Sequence, residues 1–381
     1  MKLIVVDGAP LIGSRGISTT VRSLIAGIEI LKSEDRFEFD DLKIVVLVPN
    51  SVKQATFESL NQVGSQLVFK GCRLYINQIF WESLVVPWNC LLLKPSVFHF
   101  TSGTGGLLPW FLSKITGVSI VVTVHDLSFF ARDPEISGSS NIRQFIGKLY
   151  RRYATSRILD VAICVITVSN FVKNLIEARF GNKINVRVVH NSLQPVFHPD
   201  SSEIVGLSRR ENKLLVISGN SRQKNFKRIL RVLSSFNRDY PDWEISVVGL
   251  GSRKPLTNFD INFYSDLTPN QMSVHYRESK IILVGSLYES FALPIIEGIS
   301  SGAVVCGSAT GAINELVGEM ILKFDPRDEE DVLKALSKAV SMVSQEFVQE
   351  VVDAHRLVCQ CKYSAAIQAR ETLSVYNAVS A

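Results

Sequence analysis

Short apolar, β-branched runs alternate along this chain with longer stretches whose apolar positions recur at helical spacing. "KLIVVDG" opens the pattern, the helical "TTVRSLIAGIEIL" follows, and "LKIVVLVP", "SVFHF", "SIVVTVHD" and "AICVITVS" read as further strands. The second half repeats the theme with "KLLVISGN", "EISVVGLG", "INFYS", "KIILVGS", "AVVCGS" and "MILKF". Continuously apolar strands predict a parallel sheet covered by helices on both faces. Two successive sets predict an α/β chain of two doubly wound domains. Periodicity lapses over residues 186–213, where two prolines and many polar residues fall, so the boundary is placed near residue 195. Residues 363–379 have helical periodicity. Ligands of such sheets bind beyond the carboxyl ends of strands, where strand order reverses, which makes the cleft between the two domains the expected site.

Composition narrows this only slightly. The 381 residues suit two domains at roughly 150 residues each. No run of about 18 uncharged apolar residues occurs, so no membrane-spanning helix is expected, and "MKLIVVDGAP" reads as a first buried strand rather than a signal peptide. Six scattered cysteines without a CxxC pair read as reduced thiols of a cytoplasmic protein. The net charge of +5 suits anionic ligands or an anionic membrane face, and equally no particular partner. No lysine/arginine block of the nucleic-acid-binding kind is present.

The chemistry concentrates in a few loops. In "GSLYESFALPIIEGISSG" a strand ends, a loop carries Glu289, and a helix begins near Pro294 and ends near Gly302. The spacing places Glu297 in the first helical turn. A helix start attracts phosphate, and carboxylates beside it can hold sugar hydroxyls; an ordinary helix-dipole role is the structural alternative. In "VISGNSRQKNFKRILRVL" a strand leads through a basic loop into a helix. Lys224 and Arg222 can there meet an anion, while Arg228 and Arg231 read as solvated charges. In the first strand-to-helix loop Gly13 and Gly16 flank Arg15, and Thr19 or Thr20 is expected to help start the helix. His125 and Asp126 end an apolar strand and suit a metal, a proton or a hydroxyl, or one another. HExxH, Walker A and DxD motifs are absent.

This ordered set resembles the GT-B glycosyltransferases of family four over nearly the whole chain. The resemblance rests on "VDGAPLIGSRGISTTVRSL", "FHFTSGTGGLLP", "VVTVHDLSFF", "ITVSNFVKNLI", "VRVVHNSLQPVFHP", "SRQKNFKRIL", "LYESFALPIIEGISSGAVVCGSATGAINELVG" and "YSAAIQARETLSVY". It implies two Rossmann-like domains facing a central cleft: an acceptor-binding domain over 1–195, a nucleotide-sugar-binding domain over 196–360, and a final helix, 361–381, crossing back onto the first. It implies that Glu297 binds the ribose, that Glu289 contacts the transferred sugar near the diphosphate, that Lys224 binds the diphosphate, and that His125 contacts the donor sugar. Arg222, Ser290 and the backbone N–H groups of Phe291, Ala292 and Leu293 would line the donor, and Gly16 would let the first loop approach the phosphate. Arg15 and Asp126 are acceptor-side candidates, and residues 263–267 match the base-contacting segment. Gln223 stands where the family often has arginine, and Ser290 and Ala292 where it often has glycine.

The resemblance implies a retaining glycosyl transfer with neither metal nor cofactor, the nucleotide sugar being a substrate. Within the family the pattern "DGAPL…GI…HDL" is similar to bacterial O-antigen and lipopolysaccharide mannosyltransferases, implying GDP-mannose as donor and a lipid-diphosphate-linked glycan as acceptor. An epimerase, a phosphorylase or a non-catalytic glycan-binding subunit on the same fold are the alternatives. A peripheral position on the inner face of the cell membrane is compatible with "IRQFIGKLYRRYATSRIL", which mixes five basic residues with apolar ones at helical spacing. The preferred reading of that stretch is a basic surface helix packed on its own core, and "FWESLVVPWNCLLL" also reads as core.

Overall fold

β1 (Lys2–Asp7) pairs on one side with β2 (Leu42–Pro49) and on the other with β4 (Val97–Phe100), so that Ile4 lies opposite both Ile44 and Val97. β3 (Leu67–Cys72), β5 (Ser119–Val124), β6 (Cys164–Thr167) and β7 (Val186–Val188) complete a parallel sheet of order β3-β2-β1-β4-β5-β6-β7. A second sheet holds β8 (Lys213–Ile217), β9 (Glu244–Val248), β10 (Asn262–Tyr264), β11 (Ile281–Val284), β12 (Val304–Ser308) and β13 (Leu322–Phe324) in the order β10-β9-β8-β11-β12-β13. Each sheet is built outward from its first strand in the Rossmann order, reversing beside β1 and β8 respectively. The central strands are buried along nearly their whole length, as burial on both faces requires. This computed structural model describes residues 2–13, 16–34, 41–50, 52, 67–72, 75–139, 141–198, 204–251 and 254–380.

The chain divides into two compact units, one of residues 1–130, 139–192 and 364–381 and one of residues 131–138 and 193–363. In the first, the last helix (Ala365–Ser380) packs along the first (Ile17–Ser33). The two approach so closely that a Cβ on Gly27 would lie 2.0 Å from the carbonyl oxygen of Ala365. Leu373 and Tyr376 of the last helix enter the same core as Ile4, Ile25 and Ile44. Tyr376 also reaches the sheet: its hydroxyl lies 2.6 Å from Nδ1 of His99, whose Nε2 lies 2.7 Å from Oγ1 of Thr123. His99 is buried, and burial pushes its pKa down to about 3.

Several local expectations are corrected. β3, not among the strands read from the sequence, is half-exposed, with Lys70 and Gly71 interrupting its apolar residues; β7 falls inside the stretch read as irregular. Gly16, at φ +64 and ψ −120, precedes the first helix, in backbone space that side chains avoid. Thr20 does not start that helix; it lies within it and donates to Oδ1 of Asn191. The stretch read as core at 80–93 belongs to a helix (78–93) with a π-helical turn at Trp81–Val85. That turn directs Trp81 and Glu82 inward and leaves Leu84, Trp88 and Leu92 exposed.

Candidate functional site

The second sheet reverses order between β8 and β11, and both motif loops leave the carboxyl ends of those two strands. From β8 the chain makes one tight turn (Arg222–Lys224), and Asn225, at φ +56, starts the helix Phe226–Asp239. From β11 it reaches Glu289 and then the helix Leu293–Ser300. Nζ of Lys224 lies 2.7 Å from Oε1 of Glu289, with the lysine side chain 26% and the glutamate side chain 11% exposed. The loops are tied by their backbones too, since Leu287 N–H donates to the Gln223 carbonyl at 2.7 Å. Sequence reasoning singled out both ends of this ion pair but not its supports. Buried Asn225 donates through Nδ2 to the carbonyls of Gly285 and Pro326, bridging the end of β11 to the loop after β13. Arg228, expected to be solvated, is largely buried and donates to Oδ1 of Asn225, holding that amide in place; Arg231 is exposed and pairs with Glu329. The signal for Asn225 was its tolerance of the left-handed conformation at the helix start.

Glu297 does not lie in the first helical turn. The helix starts at Leu293, which places Glu297 in the second turn, beyond the range of the free N–H groups that the dipole role requires. Its carboxylate is instead positioned from the helix Pro269–Glu278, where the Tyr276 hydroxyl donates to Oε2 at 3.0 Å. Tyr276 is fully buried, with Phe197 edge-on to its ring. Burial, reinforced by Glu297 and Glu289, raises its pKa well above the usual range and keeps the phenol a donor. Nothing in the local sequence linked Tyr276 to the loop.

Between the two glutamates, Phe291 turns its ring inward, edge-on to Tyr363, leaving only its backbone for a ligand. Ala292 adopts φ +58 and ψ 47, a left-handed conformation that costs a non-glycine residue roughly 1–2 kcal/mol and that glycine would take freely. Leu293 opens the helix, and Ser290 and Leu293 are partly exposed. Gly311 lies beneath the loop: Ala312 N–H donates to the Glu289 carbonyl at 2.9 Å, and a Cβ on Gly311 would lie 2.1 Å from that oxygen. Arg222 is exposed and reaches toward Gly138; a Cβ there would meet its Nη1 at 3.1 Å. In the expected base-contacting segment, the Tyr264 ring packs on His275 at 4.4 Å.

In the first unit, His125 follows β5 and its Nε2 lies 2.8 Å from the Thr101 carbonyl. A carbonyl only accepts, so Nε2 carries the proton and Nδ1 of the neutral ring is the acceptor. Burial pushes its pKa down to about 4, which keeps the ring neutral near pH 7. Asp126 turns both oxygens to Ser128, accepting its N–H and its hydroxyl at 2.6 Å each. Arg15 lies outside the described residues. A buried carboxylate network went unread. Glu82 accepts from Gln78, Ser102 and Thr104 through Oε1, and from Gly106 N–H and Tyr150 through Oε2. Asp7, at the end of β1, accepts from Ala9 N–H and the Trp81 indole, and burial, then the nearby Glu82, raises its pKa to about 7. A glutamate inside the aromatic run "FWES" was the available signal.

Comparison with known proteins fits this architecture. The model described as Glycosyltransferase Family 4 matches residues 41–195, and that described as Glycosyl transferases group 1 matches residues 198–346. Paired with two Rossmann-like sheets, these matches define the GT-B class of glycosyltransferases. The chain belongs to family four of that class. It is similar to the serotype-specific mannosyltransferase WbdA of Escherichia coli, with 28% identity over 127 residues, 33% of this chain and 15% of WbdA. The O-antigen chain mannosyltransferase RfbU of Salmonella typhimurium is 22% identical over 234 residues, 59% of this chain and 60% of RfbU. The chain therefore spans less than two thirds of either relative. A D-inositol 3-phosphate glycosyltransferase of Corynebacterium kroppenstedtii is 22% identical over 331 residues, covering 77% of this chain and 70% of that one. Among solved structures, a sucrose-phosphate synthase of Thermosynechococcus elongatus superposes with a TM-score of 0.72 at 15% identity, over 100% of this chain and 99% of that one. Anabaena HepE in complex with UDP-glucose superposes with a TM-score of 0.68 at 14% identity, over 99% and 100%.

Proposed function

We propose that this glycosyltransferase transfers mannose from GDP-mannose, with retention of configuration and without a metal, onto a lipid-diphosphate-linked glycan in O-antigen assembly, at the inner face of the cell membrane. The observation that carries the reading is the Lys224–Glu289 ion pair at the switch point of the second sheet, with Glu297, on the helix that follows Glu289, held by the Tyr276 hydroxyl. The resemblance to WbdA and RfbU supports mannose and a lipid-linked acceptor.

In this reading the donor diphosphate takes over Lys224, and Glu289, released from the ion pair, accepts hydrogen bonds from hydroxyls of the transferred sugar. Glu297 accepts from the ribose diol. His125 offers Nδ1 to a donor-sugar hydroxyl, and the backbone N–H groups of Phe291, Ala292 and Leu293 face the sugar and phosphate. The acceptor hydroxyl attacks the anomeric carbon from the face that the diphosphate leaves. The bond from anomeric carbon to phosphate oxygen breaks, and that departing oxygen takes the acceptor's proton. Lys224 stabilises the charge growing on the leaving group. The glutamates orient the donor rather than forming the acid/base pair of a hydrolase.

The test is kinetic. Glu297→Ala should raise the donor KM sharply and Lys224→Ala should lower kcat; wild-type constants in both variants sink the assignment. Thermal shifts across a nucleotide-sugar panel identify the donor, since a ligand at 100 times its Kd adds about 2.7 kcal/mol of stability. A larger shift with another nucleotide sugar overturns GDP-mannose. Donor binding without transfer to any glycan overturns the enzyme reading in favour of a glycan-binding subunit.

A further inference from the structure

Of the 25 exposed large hydrophobic residues among the described ones, 14 fall between Ile76 and Tyr153 of the first unit. They are ordered. On the helix Ile142–Leu159, Ile142, Phe145, Ile146, Leu149 and Tyr153 are all exposed, at spacings i, i+3, i+4, i+7 and i+11 that align them on one face. Its buried residues, Ala154, Thr155, Ile158 and Leu159, lie on the opposite face. The stripe thus points away from the unit's own core, contrary to the expectation that this helix buries its apolar residues. The helix carries five basic and no acidic residues.

A second stripe lies near the first. Leu84, Trp88, Leu91 and Leu92 are exposed on one side of the 78–93 helix, at i, i+4, i+7 and i+8, with Trp88 64% exposed. The helix Pro109–Thr116 packs against both stripe-bearing elements. Hydrogen bonds join them at Leu107, whose N–H donates to Ser83 Oγ while its carbonyl accepts from the Tyr153 hydroxyl. Leu107 and Leu108 are themselves exposed there.

We infer that this face docks the protein onto an anionic lipid surface, the two stripes entering the headgroup boundary and Arg143 and Lys148, which flank the stripe of the Ile142–Leu159 helix, meeting lipid phosphates. The charge pattern selects this occupant. An isologous contact with a second copy would set like-charged basic rows against each other, whereas an anionic bilayer complements them. Among the described residues no helix is long and apolar enough to cross a membrane. The inference deepens the proposed function, resting on its reading that the acceptor is lipid-linked, and it locates where that membrane is met.

The experiment is flotation of the full chain with vesicles of phosphatidylcholine containing phosphatidylglycerol, or phosphatidylcholine alone, at low and high salt. The wild type should float with the anionic vesicles and detach as salt rises. The triple variant F145S/I146S/L149S should bind at least about tenfold more weakly while still melting cooperatively as a folded protein, because those side chains are about half exposed or more. Its transfer to a soluble, lipid-free acceptor should match the wild type. Failure of the wild type to float, triple-variant binding equal to wild type, or a concentration-dependent dimer abolished by the same substitutions would each overturn the inference. Absence of transfer by the wild type, with flotation intact, would instead count against the proposed function alone.

Discussion

Gly311 tests whether the position of Glu289 governs turnover. At φ +62 it already occupies left-handed space, and a Cβ would sit 2.1 Å from the carbonyl oxygen of Glu289, 3.0 Å from its carbonyl carbon and 3.1 Å from its nitrogen. Carbon and oxygen tolerate an approach of about 3.3 Å, so alanine must push that backbone roughly 1 Å away. The left-handed conformation adds roughly 1–2 kcal/mol of strain. A displacement of about 1 Å in a group that orients substrate lowers turnover about 100-fold. We expect Gly311→Ala to lose that much in kcat/KM for the nucleotide sugar. Gly117→Ala is the control: at φ +66 it carries the same backbone strain, but nothing lies within 4 Å of its Cβ. It should lose stability and keep its rate. Steady-state kinetics on both, with urea melts, separates collision from strain. If Gly311→Ala turns over within about threefold of wild type, the positioning argument is wrong.

Tyr276→Phe removes the donor to Glu297 while keeping the ring edge-on to Phe197. A hydrogen bond to a charged group contributes about 1.5–3 kcal/mol, and water can replace it at this partly exposed carboxylate. The donor KM should therefore rise about tenfold with kcat little changed; an unchanged KM would free Glu297 of any dependence on Tyr276. His99 and His125 are held neutral by burial, with pKa values near 3 and 4 against 6.5 for the exposed ring. Below pH 6.5 the unfolded chain binds protons that the fold refuses. The stability these histidines contribute is thus present above pH 6.5 and lost as pH falls towards 4, by about 3 kcal/mol each. Thermal melts from pH 8 to 4 should show the decline and His99→Gln should flatten it; equal slopes in the two proteins would rule out His99 as its source.

Much of the scaffold was readable because a strand buried on both faces has to be apolar throughout, as in "KIILV" and "VITV". β3 escaped since it is half-exposed and carries Lys70 and Gly71, which dilute any run. Glu289 and Lys224 were legible from the strand–loop–helix grammar at two switch-point strands. Their supports were not. Asn225 bonds to Gly285 and Pro326, and Gly311 approaches Glu289, across separations that no local pattern encodes. The placement of Glu297 in the first turn failed because the helix begins at Leu293, directly after the left-handed Ala292 and one residue before the Pro294 start read from the sequence. On the Ile142–Leu159 helix the apolar spacing was visible, but periodicity gives a stripe without saying whether core or solvent faces it.

The return of the last helix to the first unit also constrains how the protein comes off the ribosome. Ala369, Leu373 and Tyr376 complete a core whose other members lie mostly in the first half of the chain, and Gly27 on the first helix is shaped to receive Ala365. While the second unit is being synthesised, the first-made sheet waits with that groove open and His99 lacking its tyrosine partner. The earliest-made half is therefore among the last parts of the molecule to be finished.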